Sequence, residues 1–440
     1  MSHKARLQGR MNELSPISQL PTEILTGIFC LTCHFSQDSI TPLFFGGICK
    51  DWREIAWSTP LLWNTISIKV SRRTHVTKIT LLREWLLRAQ SSPLSIKLTT
   101  DEEYETTFYA FRGIIELLVT RAEYWQTFDC RLPTQCHDIL QNHKFPLLIT
   151  ASLRPPVGTI LTFSEPPGMF LSAPRLVSVD LSGYNFSAMV LPWEQLRHFK
   201  TQFLTVAESL KVLRRSPALK ECHLECVYSP GISDYLASQT LYSELELLDL
   251  SLIKNAAIKL LDNLTLPNLR VLRVRNSSSG CGNLLYDAVS SLNQRSSCHL
   301  EGLSLEHIDG VKDDVIIACL ESIPSLNYLH LSFQCHNPGP SSGLSETFIS
   351  RLRPSQQGSY LLPNLTSLKY RGTVGCDSRL LVDMLSERWR HVSHVEGGHS
   401  EPRLTRVQFI ATGDFKYEIP YDVQADIDLL VSEGMQLRIR

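Results

Sequence analysis

A short apolar motif, Leu-x-x-φ-x-φ with φ apolar, recurs through much of this 440-residue chain and sharply limits what it can fold into. It stands at Leu176-Val179-Leu181, Leu219-Cys222-Leu224, Leu245-Leu248-Leu250 and Leu269-Leu272-Val274, then at Leu300-Leu303-Leu305, Leu326-Leu329-Leu331, Leu365-Leu368-Tyr370 and Leu404-Val407-Phe409. A degraded copy begins at Leu196 with Phe199, and a weak first copy reads Leu148, Ala151, Leu153. From Leu176 onward the lead leucines are 20, 23, 26, 24, 31, 26, 39 and 39 residues apart. The closing φ-x-φ has the period of a strand, and helix-like segments lie between copies at 206–215, 256–264, 284–292, 313–323, 345–352 and 378–389. Strand plus helix per copy predicts an α/β fold, a curved parallel sheet with helices on its outer side. One copy buries too little alone, whereas stacked neighbours share a ladder of leucines. The stretch 422–433 reads as a final helix over the open end, and 338–343 and 354–360 read as loops.

In form this pattern resembles leucine-rich repeats of an irregular kind, with drifting spacing and no Asn ladder. Upstream, Val76, Ile79, Leu82, Trp85, Leu86 and Ala89 predict a helix over 75–90, followed by Ser-Pro and an alternating strand over 94–98. Another helix is expected around 109–123 and a strand over 125–132. The stretch 133–172 carries little signal.

The N-terminal part has a different character. In 20–29, Leu20, Ile24, Leu25, Ile28 and Phe29 recur at helical spacing, with Pro21 at the expected first helical position, where its missing N–H costs nothing. In 48–63, Ile48, Cys49, Trp52, Ile55 and Ala56 form a second face ended by Thr59-Pro60, and 38–42 reads as a loop between the first and second helices. Gly46 and Gly47 fall within the expected second helix, each costing roughly 0.5–1 kcal/mol relative to Ala. Helices this short cannot hide all their apolar surface among themselves, so some is left for a partner.

Three pieces together, Leu20-Pro21-x-Glu23-Ile24-Leu25-x-x-Ile28-Phe29, Ile48-Cys49-Lys50-Asp51-Trp52-Arg53 and Thr59-Pro60-Leu61-Leu62-Trp63, resemble an F-box, specifically the F-box-like segment of many basidiomycete fungal proteins. The helix–Ser-Pro–strand step behind it is similar to that family's follow-on segment. The resemblance implies docking onto a Skp-type adaptor, and through it a cullin ligase core, by Leu20, Pro21, Ile24, Leu25, Ile28, Phe29 and Trp52. Leu25→Asp would then abolish docking. The expected organisation is a flexible 1–14, an F-box-like helical domain over 15–66, and a leucine-rich-repeat-like solenoid over 67–440, irregular to 172 and clearer from 173.

Composition removes other classes. The formal net charge is -1 with no basic stripe, so neither nucleic acid nor an anionic membrane is an expected partner. No run of about 20 apolar residues predicts a membrane span. The first residues have no apolar core behind their cations, so no secretory signal is expected. The 12 cysteines sit mostly in apolar patterns, as reduced thiols do, which points to the cytoplasm or nucleus.

Motifs for chemistry are weak. Cys30-x-x-Cys33-His34 matches the covalent haem-attachment pattern, but that chemistry belongs to an exported compartment. A zinc site there lacks a second ligand pair. His391, His394, Glu396 and His399 are ligand types without helical ligand spacing and read as a solvated loop. Ser279-Gly280-Cys281-Gly282 lacks the third glycine of a dinucleotide loop, and no Walker loop or nucleophile elbow is present. No catalytic residue, metal or cofactor is expected, and the chain is not expected to be an enzyme.

What remains is surface. Residues between the inward positions of each strand line the concave face: Asp180, Ser182, His198, Lys200, Gln202, Glu221, His223, Glu225, Asp249, Arg273, Arg275, Glu306, Tyr328, His330, Lys369, Arg371, Arg406 and Gln408. Acidic residues crowd the early copies, and Arg and Lys the later ones. A client protein, unidentified by sequence, is expected to meet Arg273, Arg275, Tyr328, His330, Lys369 and Arg371. The function implied is that of the substrate-recognition subunit of a Skp–cullin–F-box ubiquitin ligase. The alternative is a repeat scaffold whose F-box-like helices act only as an N-terminal cap.

Overall fold

Parallel strands alternate with helices along the chain in the computed structural model, which describes residues 15–36, 41–100, 104–133, 136–141, 143–155, 168–186, 190–229, 240–253, 256–276, 282–308, 311–333, 345–354, 360–390, 403–412 and 419–439. The chain divides into two units, 1–192 and 193–440. The first therefore takes in both the N-terminal helices and the early strands. The expected flexible segment 1–14 lies outside the described residues.

The first unit opens with α1 (Thr22–Ser36), α2 (Thr41–Ile48) and α3 (Lys50–Ser58), then a 3-10 turn, Pro60–Trp63. The Pro21 carbonyl accepts from the Ile24 and Leu25 N–H groups at 3.0 and 3.1 Å. Pro21 is thus the capping residue, one place ahead of the first-turn position expected for it. The expected face over 48–56 is split between two helices. Ile48 closes α2, and the Cys49 sulfur caps α3 by accepting the Trp52 N–H at 3.4 Å. Thr41 and Pro42, expected in a loop, open α2, while 37–40 are outside the described residues.

The three helices close on an aromatic centre. Phe29 stacks on Phe45 with ring centroids 4.1 Å apart, and Trp52 tilts against Phe29 at 4.8 Å. Leu25 and Phe29 are buried there. A second aromatic chain runs from these helices toward the sheet. Trp57 meets Trp63 edge-on, Trp63 meets Trp85 of α4 (His75–Ala89), and the Trp63 indole N–H donates to the Ala56 carbonyl at 2.7 Å.

Five strands follow in sequence order: β1 (Thr65–Lys69), β2 (Leu94–Thr99), β3 (Trp125–Arg131), β4 (Thr150–Arg154) and β5 (Ser178–Asp180), all paired parallel. Between them stand α4, α5 (Tyr104–Val119) and α6 (His137–Leu140). Strand β1 was not expected, and the anticipated boundary at 66/67 falls inside it. Its register pairs Ile66 with Ile96, Ile96 with Phe128, Phe128 with Ala151 and Ala151 with Val179. Counting back three residues puts Trp63 and Trp125 where later copies have their lead leucine.

The second unit continues with β6 (His198–Gln202), α7 (Val206–Arg215), β7 (Glu221–Val227), β8 (Leu241–Tyr242), β9 (Leu247–Leu252), α8 (Ala256–Asp262), β10 (Leu264–Thr265) and β11 (Val271–Asn276). Then come α9 (Gly282–Ser296), β12 (Gly302–Ile308), α10 (Asp313–Glu321), β13 (Tyr328–Phe333), α11 (Glu346–Leu352), β14 (Ser367–Gly372), α12 (Ser378–Arg390), β15 (Arg406–Ala411), α13 (Tyr421–Ser432) and β16 (Gln436–Ile439). Strands β8 and β10 form a small ladder of their own, and the others pair in chain order. The helices match the expected segments to within a few residues. Helix α13 does not end the fold, because Gly434 turns the chain at φ +105° into β16.

The repeats from β6 to β15 are joined in the same way. The carbonyls of Arg197, Lys220, Glu246, Arg270, Glu301, Asn327 and Thr366 each accept two successive N–H groups from the next repeat, at 2.8–3.1 Å. The lead leucines, from Leu196 to Leu404, are all buried. Beside β14, the guanidinium of Arg388 is sunk against the Leu352, Leu361 and Leu362 carbonyls and clamps the loop leading into the strand. Burial lowers its pKa to about 10. Among the described residues no helix is long and apolar enough to cross a membrane.

Gly46 and Gly47 differ in what they permit. A Cβ at Gly46 would overlap the Trp57 ring, whereas at Gly47 it would meet nothing. Gly46→Ala is expected to destabilise the first unit by about 1–3 kcal/mol through overpacking, while Gly47→Ala is neutral or gains about 0.5–1 kcal/mol of helix propensity. Urea unfolding of the two variants checks this. Equal midpoints would show that the Trp57 contact is not needed.

Candidate functional site

Two surfaces hold the residues singled out from sequence. On α1, Ile24, Ile28 and Leu31 are exposed at 52, 39 and 60 % and follow i, i+4, i+7 spacing, so they share a face. Phe44 and Ile48 do the same on α2, and Ile17 and Leu61 are exposed nearby in sequence. Of the expected adaptor contacts, Pro21, Ile24 and Ile28 are therefore outside and Leu20 is half-buried. Leu25 and Phe29 belong to the helices' own core, and half-buried Trp52 packs on it. Leu31, Phe44, Ile48 and Leu61 were not singled out as contacts. Their spacing was visible, but not which way each helix turns.

Cys30 and Cys33 lie on the same helix. Burial, with Cys30 as a lesser cause, lifts the Cys33 thiol to about 11, which keeps it protonated at neutral pH. The His34 side chain and the whole 391–399 segment lie outside the described residues.

The second surface is one face of the second unit's sheet. Register places Lys200, His223, Asp249, Arg273, Ser304, His330, Lys369, Gln408 and Arg438 in one row, each on the next strand. A second row runs Ser251, Arg275, Glu306, Ser332, Arg371. A third runs Leu247, Val271, Gly302, Tyr328, Ser367, Arg406. The six expected client-binding residues thus occupy β11, β13 and β14 on a single face.

Charges on the early strands are spent on one another. Lys200 reaches Glu225 at 2.8 Å and His198 reaches Glu221 at 3.2 Å. Asp249, 8 % exposed, accepts from Arg275 at 3.0 Å and lies 3.3 Å from His223, with Arg273 more loosely placed at 4.0 Å. Burial alone would raise its pKa, but the His223 hydrogen bond and the Arg275 charge outweigh that and hold it below the usual carboxylate range. Asp180, on β5 of the first unit, is likewise tied to Arg154 at 3.0 Å and to the hydroxyl of buried Ser182.

Around β12 and β13 lies a compact polar knot. The Ser304 hydroxyl donates to Glu306 at 3.0 Å, and His330 Nδ1 sits 2.9 Å from that hydroxyl and 3.3 Å from the same carboxylate. With the hydroxyl proton given to Glu306, the pattern assigns the ring proton to Nδ1. Ser and Glu share one ring nitrogen, so the group lacks the two-sided relay of a hydrolase triad. At 5 % exposure His330 supports the face from beneath and offers a partner little area. Arg273, Arg275, Tyr328, Lys369 and Arg371 remain accessible.

No protein-family description matches the chain, and no curated protein is similar to it.

Glu306 is held down to about 2, first by the His330 hydrogen bond, against the opposing effect of burial. A depressed carboxylate adds stability that is present above its ordinary value near 4.5 and is lost as pH falls toward about 2. Glu306→Gln should therefore be the less stable form at neutral pH, by on the order of 1–2 kcal/mol after solvent screening. The gap should close on acidification from about pH 5 to about pH 2. Urea midpoints of both proteins across that range test it, and a gap independent of pH would remove the linkage.

Proposed function

We propose that this chain is the substrate-recognition subunit of a Skp–cullin–F-box ubiquitin ligase, its N-terminal helices docking a Skp-type adaptor and its repeat sheet holding a client protein. The observation that carries this reading is that α1 is apolar on two sides. Leu25 and Phe29 fill the core, yet Ile24, Ile28 and Leu31 face solvent. A helix that only covers its own domain needs one apolar stripe, and a second stripe is surface waiting for another polypeptide. The F-box-like motif falls on this same helix, and the strand–helix copies behind it resemble irregular leucine-rich repeats. Each exposed Ile or Leu contributes roughly 1.5–3 kcal/mol when fully covered, so three or four offset the cost of association.

On this reading the chain forms no bond and breaks none. The transfer of ubiquitin occurs on other subunits, in the cytoplasm or nucleus, and the repeat sheet raises the local concentration of client lysines beside the charged carrier.

A second reading has an observation of its own. The Trp57–Trp63–Trp85 chain ties the helices to the early strands, as a cap covering the start of a solenoid requires. The two readings separate in one experiment. The Ile24→Asp/Ile28→Asp double variant should keep its thermal midpoint, because both side chains are exposed, and should lose capture of a purified Skp-type adaptor by at least tenfold. Leu25→Asp is unsuitable, since a buried carboxylate would unfold the helices whichever reading is right. Undiminished capture by the double variant, or none by the unaltered chain, leaves only the cap.

A further inference from the structure

Charge is unevenly left over on the sheet face of the second unit. Strands β13 to β16 carry Lys369, Arg371, Arg406 and Arg438 and contain no Asp or Glu. Among the described residues none of these four cations meets a carboxylate. Arg406 donates to the neutral Gln436 side chain at 2.9 Å, and the neighbouring His330 is already held by Glu306. On the earlier strands the cations and carboxylates neutralise one another in the pairs described above. The face is thus satisfied at one end and uncompensated at the other.

Beside the uncompensated end lies an apolar dip. Gly302 on β12 sits in register between Val271 and Tyr328, with Leu247 next in the row. A Cβ built on Gly302 would lie 3.5 Å from both γ carbons of Val271 and 3.8 Å from the Tyr328 ring, which is ordinary contact distance. Gly302 itself is buried between half-buried Val271 and Tyr328, so a small apolar group set there rests on those two flanking side chains. Arg273 stands close enough to influence the Tyr328 hydroxyl and completes an aromatic–arginine rim.

We infer that this face binds an extended segment of a partner protein that crosses the strands, setting one aliphatic or aromatic side chain over Gly302 and two or more carboxylates over β14 to β16. Spacing fixes the order. Strands stand about 4.8 Å apart, so β14 and β16 lie roughly 10 and 19 Å from the dip. An extended chain advances about 3.3 Å per residue, which places the acidic residues about three to six positions beyond the anchor. The cations stand on three successive strands and do not converge on a point, so they suit several separate carboxylates better than one phosphoryl group. This inference rests on the reading of the strand face as the client-holding surface and gives that client its chemistry.

The test uses the full chain and a fluorescein-labelled peptide of about ten residues, with one Phe followed by three Glu at the derived spacing. Companion peptides carry Lys for Glu, Ser for Phe, or a single phosphoserine in place of all three Glu. Fluorescence anisotropy should show the Phe–Glu peptide binding at least tenfold tighter than the Lys or Ser peptides, and weakening as salt is raised. The Lys369→Glu/Arg371→Glu double variant should lose at least tenfold while keeping its thermal midpoint, and Gly302→Trp, which fills the dip, should lose a similar factor. Ile24→Asp/Ile28→Asp should leave peptide binding untouched, so failure here and failure of adaptor docking are read separately. Equal binding of the Glu and Lys peptides, unchanged binding by either face variant, or binding of the phosphoserine peptide alone would each overturn the inference.

Discussion

In-register parallel pairing is the constraint on which the rest of this structure depends. At seven successive junctions of the second unit, from Arg197 to Thr366, one carbonyl accepts two N–H groups from the following repeat, so each of these strands starts at the same height as its neighbour. Once the start is fixed, the two-residue period does the rest. Leu248, Leu272, Leu303, Leu329, Leu368 and Val407 fall in one buried column, and Asp249, Arg273, Ser304, His330, Lys369 and Gln408 fall in one row on the opposite side. A slip of one residue at any junction would send a leucine to solvent and a charge into the core. The register is therefore enforced by the same burial it organises.

How legible this was depended on what stood at the lead position of each copy. From Leu176 onward a leucine stands there, and strands and helices were readable to within a few residues. In β1 and β3 the place is taken by Trp63 and Trp125, and before β16 by Gly434. Those copies keep the φ-x-φ pair but lose the leading leucine. The tryptophans meet the packing need with a larger side chain, and the glycine gives up packing for a positive φ that a turn requires. Strand β3 was still recognisable from its apolar run. Strand β1 and strand β16 were not, because two alternating apolar residues beside a helix are too little signal. Spacing drift did no harm, since added residues enter the connections and leave the strand register alone.

The surfaces were legible in part, and for different reasons. The strand face could be read because period two separates inside from outside without ambiguity. Its internal pairing could not. Asp249 finds His223 and Arg275 only because strands 26 residues apart in sequence become neighbours. The helices presented the opposite problem. Apolar residues surround α1, so periodicity alone could not say that Leu25 and Phe29 turn inward while Ile24 and Ile28 turn out. That choice is made by Phe45 and Trp52, whose rings close over Phe29.

The division of charge along the strand face also decides where binding energy can come from. Where Lys200 meets Glu225, or Arg275 meets Asp249, a covering partner removes water from both charges and must leave both hydrogen-bonded, with little net gain. An exposed pair such as Lys200–Glu225 contributes only about 0–1 kcal/mol to the fold, so its main effect under a partner would be to make that region indifferent to the partner's charge. Among the described residues no such pair has formed over Lys369, Arg371, Arg406 and Arg438. A carboxylate arriving there supplies the missing partner and displaces only water, whereas a cation meets uncompensated repulsion. On the proposed reading, discrimination would therefore concentrate at the end where the described residues leave these charges unmatched, and the apolar dip beside it would contribute affinity with little demand on sequence beyond size.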